Sequence, residues 1–243
     1  MDKQDSNIDY YFADIVTDKP HEFTIGKKHF CLYPVTLAKT FELGRIQAGL
    51  GINTDMLNLN PFMEALRIAE INKEKCCQFL AIHMTPNTKK DLHNSQNRAM
   101  RRNALSKLST NSIAVLLMYV LTADRTDALI RHIGLDTERD NMRKVLEVKD
   151  TRNSLNFGAI TILGTFVDPL MEMGYSDNEI WFERGYSYLR LRLADKPTNI
   201  YVSDEELKAL PALASGKVPD ANNPEAFDRI QSLLVRKGIK INR

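Results

Sequence analysis

Apolar and polar positions alternate in one stretch of the chain, Phe23-Thr24-Ile25-Gly26-Lys27-Lys28-His29-Phe30-Cys31-Leu32-Tyr33. The alternation runs on both sides of Gly26, which predicts a small β-hairpin with the glycine supplying positive φ at the turn. Elsewhere the apolar residues recur at helical spacing. Thr36 heads a helix with Leu37, Phe41, Gly44 and Ala48 on one face, closed by Gly49 and Gly51. Asn60-Pro61 puts a capping side chain before a proline at the first helical position, and predicts one helix through Phe62, Leu66, Ala69, Cys76, Phe79, Leu80 and Met84 that Pro86 stops. Thr110-Asn111-Ser112 introduces a buried helix over residues 113–121. A short helix then turns Leu129, Ile130 and Ile133 inward before Gly134.

Towards the C-terminus two capping boxes stand out, Ser176-Asp177-Asn178-Glu179 and Ser203-Asp204-Glu205-Glu206. In each, the serine oxygen accepts from the N–H three residues on, and the glutamate reaches back to the serine N–H. The first follows an apolar segment, 155–173, that Gly174 ends. It opens a helix bearing Ile180, Trp181, Tyr188, Leu189 and Leu193, with Tyr175 and Ile180 placed as a hydrophobic staple and Pro197 as the stop. The second opens a helix over 204–214. A polar linker over 216–222 leads to Asn223-Pro224 and a last helix carrying Phe227, Ile230, Leu233 and Leu234. The pattern predicts a mainly α fold, a multi-helix bundle with a small N-terminal β-hairpin. It divides into an acidic arm over 1–20 with Tyr10, Tyr11 and Phe12 as docking rings, a helical domain over 21–215, and a linker with C-terminal helix over 216–243.

At 243 residues, 43% hydrophobic and 26% charged, the chain has the composition of an ordinary globular protein. A net charge of +2 gives no whole-molecule field for nucleic acid or an anionic membrane, so any basic function is local. The apolar runs at 113–121 and 157–167 fall short of the roughly 20 residues a bilayer span needs, which predicts deeply buried helices and no membrane partner. The polar start, Met1-Asp2-Lys3-Gln4-Asp5, lacks the apolar core of a signal peptide.

Candidate chemistry is sparse. Histidines 21, 29, 83, 93 and 132 include no i, i+4 pair of the kind that makes a zinc helix. Cys31, Cys76 and Cys77 fit no CxxC pattern and read as reduced thiols. The adjacent pair, set about 100° apart deep within a helix, reads as buried and structural. Gly44, Gly49 and Gly51 match neither phosphate-loop spacing, and Ser154 and Ser187 lack the glycine-flanked elbow of a hydrolase. The expectation is a protein without enzymatic activity and without a cofactor.

Two segments remain as candidates for binding. Residues 89–107 are basic, with Arg98, Arg101, Arg102 and Lys107 as the groups that would neutralise phosphates. No aromatic residue is interleaved to stack on bases. The second segment crowds Trp181, Phe182, Tyr186 and Tyr188 together with Arg184, Arg190 and Arg192, the residue types that dominate interface energetics. One helix does not bury four such rings in a single direction.

The order of Tyr33-Pro34-Val35-Thr36-Leu37 after a hairpin, Phe79-Leu80-Ala81-Ile82, Leu117-Met118-Tyr119-Val120-Leu121-Thr122 and Asp177-Asn178-Glu179-Ile180-Trp181-Phe182-Glu183-Arg184-Gly185-Tyr186-Ser187-Tyr188 resembles that of bacteriophage tail-assembly chaperones and related small virion proteins, especially those of phages of gut Bacteroidetes. The resemblance implies a mostly helical, non-enzymatic protein that binds other phage virion or assembly proteins, such as the tape measure, in the host cytoplasm or in the virion. A homo-oligomeric ring is one form it takes. The segment after Pro197 exceeds what a chaperone's tail requires, which sets a protein retained in the particle beside the chaperone. Nucleic-acid binding through 89–107 is the alternative function.

Overall fold

A computed structural model describes residues 3–25, 27–148 and 160–203. The second capping box, the linker and the C-terminal helix therefore lie outside the described residues, as do Gly26 and residues 155–159 of the apolar segment. The fold is mainly α with a two-stranded antiparallel hairpin near the N-terminus, as the patterning predicts.

The chain begins with α1 (Lys3–Val16) and continues into β1 (His21–Ile25) and β2 (Lys28–Leu32), paired in register His21 to Leu32 and Phe23 to Phe30. Helix α1 docks through Ile15, which is buried, and Tyr11, whose hydroxyl accepts from the Arg125 N–H at 2.6 Å. Tyr10 and Phe12 stay exposed.

Next come α2 (Leu37–Gln47), α3 (Thr54–Leu59), α4 (Pro61–Ile71), α5 (Lys73–His83), α6 (Lys89–Leu92), α7 (Ser95–Ser106), α8 (Thr110–Thr122) and α9 (Thr126–His132). Seven of these starts share one device. The side chain of Thr36, Asn53, Asn60, Asn72, Thr88, Asn94 or Ser109 accepts from the backbone N–H three residues later. Each cap satisfies a donor that the first turn otherwise leaves without a partner.

One of these caps overturns an expectation. The stretch from Asn60 to Pro86 is two helices, because Asn72 adopts φ −148° and its side chain takes the Lys75 N–H. Cys76 and Cys77 consequently sit near the start of α5 and not deep within a helix. Both are fully buried even so.

The main core joins α4, α5, α7 and α8 beneath the hairpin and α2. Ala65, Ile68 and Ala69 meet Ile113, Ala114 and Leu117 across the α4–α8 contact. The alanines let two backbones approach closely while the larger side chains interlock. Helix α8 buries only that face: Val115 and Tyr119 are exposed, so residues 113–121 are amphipathic in effect and not deeply buried all round. Phe41 and Ile133 also point outward, contrary to expectation, and α2 buries Leu37, Lys39 and Leu43 instead.

After residue 160 the chain forms a π-helical turn, Leu163–Val167, running into α11 (Asp168–Glu172). Pro169 explains the turn. It has no N–H to give and its ring crowds the carbonyl four residues back, so the helix widens just upstream. Phe166, Val167 and Leu170 are buried here, whereas Ile160 and Leu163 are exposed, which corrects the expectation of a buried helix for the described part of 157–167. Gly174, at φ +94°, ends α11: the Tyr175 N–H bonds to Leu170 O at 3.2 Å and the Gly174 N–H to Met171 O at 2.9 Å.

The expected helix from Ser176 to Pro197 is also interrupted. A π-helical turn, Glu179–Glu183, ends where the Arg184 N–H bonds to Glu179 O, and α12 (Tyr186–Ala194) starts afresh after Gly185. Between them Gly185 pairs with Thr36, and the Tyr186 N–H reaches Val35 O at 2.6 Å. Two smaller cores form around this junction, one of Leu37, Phe166, Leu170, Ile180 and Leu189, the other of Ile15, Leu129, Ile130 and Leu191.

The chain divides into two compact units, Met1–Leu135 with Phe157–Pro197, and Asp136–Asn156 with Thr198–Arg243. In the second unit the described helix is α10 (Leu135–Val148), where Arg143 reaches Asp140 at 3.1 Å and Glu147 at 3.9 Å.

Candidate interaction surface

The capping box at Ser176 forms as the sequence predicts. The Ser176 N–H donates to the Glu179 carboxylate at 3.0 Å, and the Glu179 N–H donates back to Ser176 Oγ at 3.3 Å. The Ser176 N–H and, at 2.8 Å, the Ser176 hydroxyl both donate to the Glu179 carboxylate and hold it below the usual carboxylate range. Together with the break at Gly185 they split the aromatic and arginine-rich segment into two short pieces facing different ways. That break is how four rings find places that one helix does not offer.

Each ring has its own partners. Trp181 Nε1–H donates to Asp177 Oδ1 at 2.9 Å, and its ring lies 6.0 Å from that of Phe41. Phe182 packs on the main core, with Lys89 Nζ 5.7 Å from its ring centre. Tyr186 lies 5.2 Å from Phe166 and carries the Arg190 guanidinium over its ring at 5.8 Å. Arg184 stands over Tyr188 at 5.7 Å. The Tyr188 hydroxyl meets that of Tyr175 at 3.0 Å, and this bond together with burial raises its pKa.

The arginines are likewise engaged. Arg190 reaches Asp124 at 3.3 Å and Asp127 at 2.5 Å, tying α12 to α9, while Arg192 donates to the Tyr175 hydroxyl at 3.1 Å. Each of the seven expected residues thus has a fixed partner, a ring, a carboxylate, a cation or a tyrosine hydroxyl, in two pieces of the segment. Phe41, 48% exposed beside Trp181, joins them at the surface from α2. Sequence reading missed it because Phe41 falls in the expected buried stripe of its helix.

The basic segment divides differently. Arg98 pairs with Glu42 at 3.6 Å. Arg101 is half-buried on the same helix with its Nη1 inside the protein. Arg102 lines a cleft with Lys73, Glu74 and Cys77, and exposed Lys107 caps the end of α7.

A polar cluster that local sequence pattern does not mark lies beneath α2. Lys39 is 1% exposed, and its Nζ donates to Thr85 O at 2.5 Å and Asn87 Oδ1 at 2.6 Å. The Tyr33 ring centre is 5.4 Å from the same nitrogen. Burial, helped by the neighbouring Arg101 charge, brings the Lys39 pKa down to about 7. His83, also buried, is brought down to about 3 by burial and by Lys39, which leaves it neutral. Tyr33 and His83 also face a cavity of about 530 Å³ whose other walls include Asp18, Tyr119, Tyr186 and Tyr188.

Burial also governs the cysteines. Cys76 is raised to about 11 and Cys77 is raised as well, the reverse of an activated nucleophile. Among the described residues no group of three or more His, Cys, Asp or Glu side chains is arranged to hold a metal ion, and no helix is long and apolar enough to cross a membrane. No protein-family model, no curated protein and no solved structure matches the chain.

Proposed function

We propose that this chain is a non-enzymatic protein that acts through protein–protein contacts, and that the contacts serve bacteriophage virion assembly or structure at the tail or head–tail junction. The observation that carries the contact reading is the Phe41–Trp181 pair, two large rings 6.0 Å apart and contributed by different elements, with Phe41 half in solvent. Arg184, Arg190 and Arg192 follow in the turn before α12 and in α12, each held by a carboxylate or a tyrosine. Aromatic and arginine side chains already fixed in the free protein lose little freedom on association. The phage setting rests on the resemblance carried by residues 33–37, 79–82, 117–122 and 177–188.

Purification of tagged protein from infected cells, alongside mass spectrometry of finished particles, tests both parts. The expected result is co-purification with a virion or assembly protein, reduced at least tenfold by a Phe41→Ala, Trp181→Ala double variant that remains folded. A copy number in particles that is a symmetric multiple marks a ring component, and presence in assembly intermediates alone marks a chaperone. Absence of every virion and assembly protein from the purified material overturns the phage proposal.

A further inference from the structure

Five of the chain's eight tyrosines, Tyr11, Tyr33, Tyr119, Tyr186 and Tyr188, line a single cavity of about 530 Å³. They arrive from α1, the residue after β2, the last turn of α8 and the start of α12, all within one compact unit. Buried Leu32, Leu43 and Phe79 extend the apolar part of the wall. The volume falls within the range of small-molecule sites, about 300–1,000 Å³.

The charged side chains of the wall are Asp14, Asp18, Lys19 and Asp124. Lys19 pairs with Asp14 at 3.2 Å, and Asp124 pairs with Arg190 at 3.3 Å. Asp18 is left over. Its Oδ1 takes the Gly185 N–H, and among the described residues no cation lies within ion-pair distance of either oxygen. Arg184 lends it some positive field but is itself engaged by Glu179 at 3.9 Å and by the Tyr188 ring. Partly desolvated without a counter-charge, the Asp18 carboxyl has a raised pKa. Buried His83 lies in the same wall, and its Nε2 has no hydrogen-bond partner. Held neutral, that ring brings a polar nitrogen but no positive charge.

Electron-rich rings around one uncompensated carboxylate suit an organic cation. Lys39, Arg190 and Arg184 already stand over Tyr33, Tyr186 and Tyr188 at 5.4, 5.8 and 5.7 Å, so three of the five rings hold cations of the protein itself. Among the described residues none stands over Tyr11 or Tyr119. Tyr119 is 40% exposed and stacks on His21 at 4.2 Å. We propose that this cavity binds a small organic ammonium ion with an aromatic or apolar body, the ammonium against Asp18 and the body among Tyr11, Tyr119 and the apolar wall. The bound ammonium supplies the counter-charge that Asp18 lacks, through a charge-assisted hydrogen bond. An anionic ligand would meet the unpaired carboxylate and is repelled.

Titration calorimetry of the full chain at neutral pH, with phenethylamine, tryptamine, phenylethanol and phenylpropionate as probes, tests the site. Both amines are expected to bind saturably with a Kd of about 1 mM or tighter. The alcohol and the acid carry the same ring without the positive charge, and are expected to bind at least about tenfold more weakly. Asp18→Asn keeps an acceptor for the Gly185 N–H and removes the charge. It is expected to weaken both amines about tenfold or more and to leave the alcohol unchanged. Asp55→Asn, which neutralises an exposed carboxylate on α3 outside the cavity, is expected to bind the amines as the unaltered chain does. The proposal is overturned by amines that bind no tighter than the alcohol, by full amine affinity in Asp18→Asn, by an equal loss in Asp55→Asn, or by no saturable binding of either amine below about 10 mM. Should Asp18→Asn fail to fold, the comparison of amine with alcohol on the unaltered chain still decides the question.

Discussion

The carboxylate of Asp18 accepts a hydrogen bond from the backbone N–H of Gly185, 3.0 Å away and 167 positions later in the chain. Asp18 holds φ at +47°, a conformation aspartate tolerates better than most residues, and burial raises its carboxyl pKa against the opposing pull of that bond. A Cβ on Gly185 would run into the Asp18 carboxylate and into Pro34, so glycine is required there by contact and not by φ. The hairpin entry, the loop before α2 and the start of α12 are thereby fastened at one point.

Four substitutions separate the parts of this contact. Asp18→Asn keeps an oxygen acceptor and is expected to unfold within about 0.5 kcal/mol of wild type, whereas Asp18→Gly relieves the left-handed backbone but gives up the bond, a net loss of about 1 kcal/mol. Asp18→Ala gives up the bond and keeps the strain, for about 2–3 kcal/mol. Gly185→Ala is expected to lose about 1–3 kcal/mol through the clash. Urea unfolding measures all four, and an Asp18→Ala variant as stable as Asp18→Asn would contradict this account.

The junction of α4 and α5 depends on one side chain. Asn72→Ala removes the acceptor for the Lys75 N–H and is expected to destabilise by about 1 kcal/mol, as is Asn60→Ala at the start of α4. Asn72→Gly, which keeps the backbone free to bend, should lose only a few tenths. Chemical denaturation of the three variants provides the comparison.

From Lys39 and Cys76 together, stability is expected to rise from pH 7 to 9, level off between about pH 9 and 10.5, and fall above that. Lys39 has a folded pKa of about 7 against 10.5 unfolded, so the unfolded chain binds the extra proton between those values and stability grows as pH rises through that window. Cys76 works in the opposite sense: its folded pKa of about 11 lies above the ordinary 9, and its contribution is lost as pH climbs from 9 to 11. On the acid side, His83 has a folded pKa of about 3 against 6.5, so stability falls as pH drops from 6.5 towards 3. Urea midpoints across pH 3–11 reveal the profile, and Lys39→Met should flatten the rise between pH 7 and 9.

Thiol labelling distinguishes the cysteines. Cys31 is half-buried, while Cys76 and Cys77 are fully buried with raised pKa values. One thiol is expected to react with a water-soluble disulfide reagent in the native protein and three in denaturant. Rapid native reaction of two or more would contradict the packing of α5 against α7 and α8.

Much of the architecture was legible because its cues are local. A capping side chain and the N–H it accepts lie three residues apart, so Thr36, Asn60 and Ser176 announce their helices within a few positions. The hairpin and Gly174 are local in the same way. Asn72 carries the same cue but sits inside an unbroken apolar stripe, and the stripe won in the reading. Gly185 has no local reason at all; its reason is Asp18. The seven interface candidates were legible as a crowd of aromatic and arginine residues, yet their partners Phe41, Asp124, Asp127 and Tyr175 are contributed by other elements. Lys39 was illegible because lysine on a helix reads as solvent-facing, and only the turn after α5, with Thr85 and Asn87, reveals that it points inward.

The bond between residues 18 and 185 also bears on when the protein can finish folding. Helices α4, α5, α7 and α8 bring together residues close in sequence, so their core can close while the ribosome is still at work. Helix α1 buries Ile15 against Leu191, and the loop at Val35 waits for Tyr186. Closing loops of that span is entropically slow. Helix α1 is therefore made before the elements it packs on and is among the last to find its place, and a nascent chain halted short of residue 185 would leave Ile15 without its partner from α12.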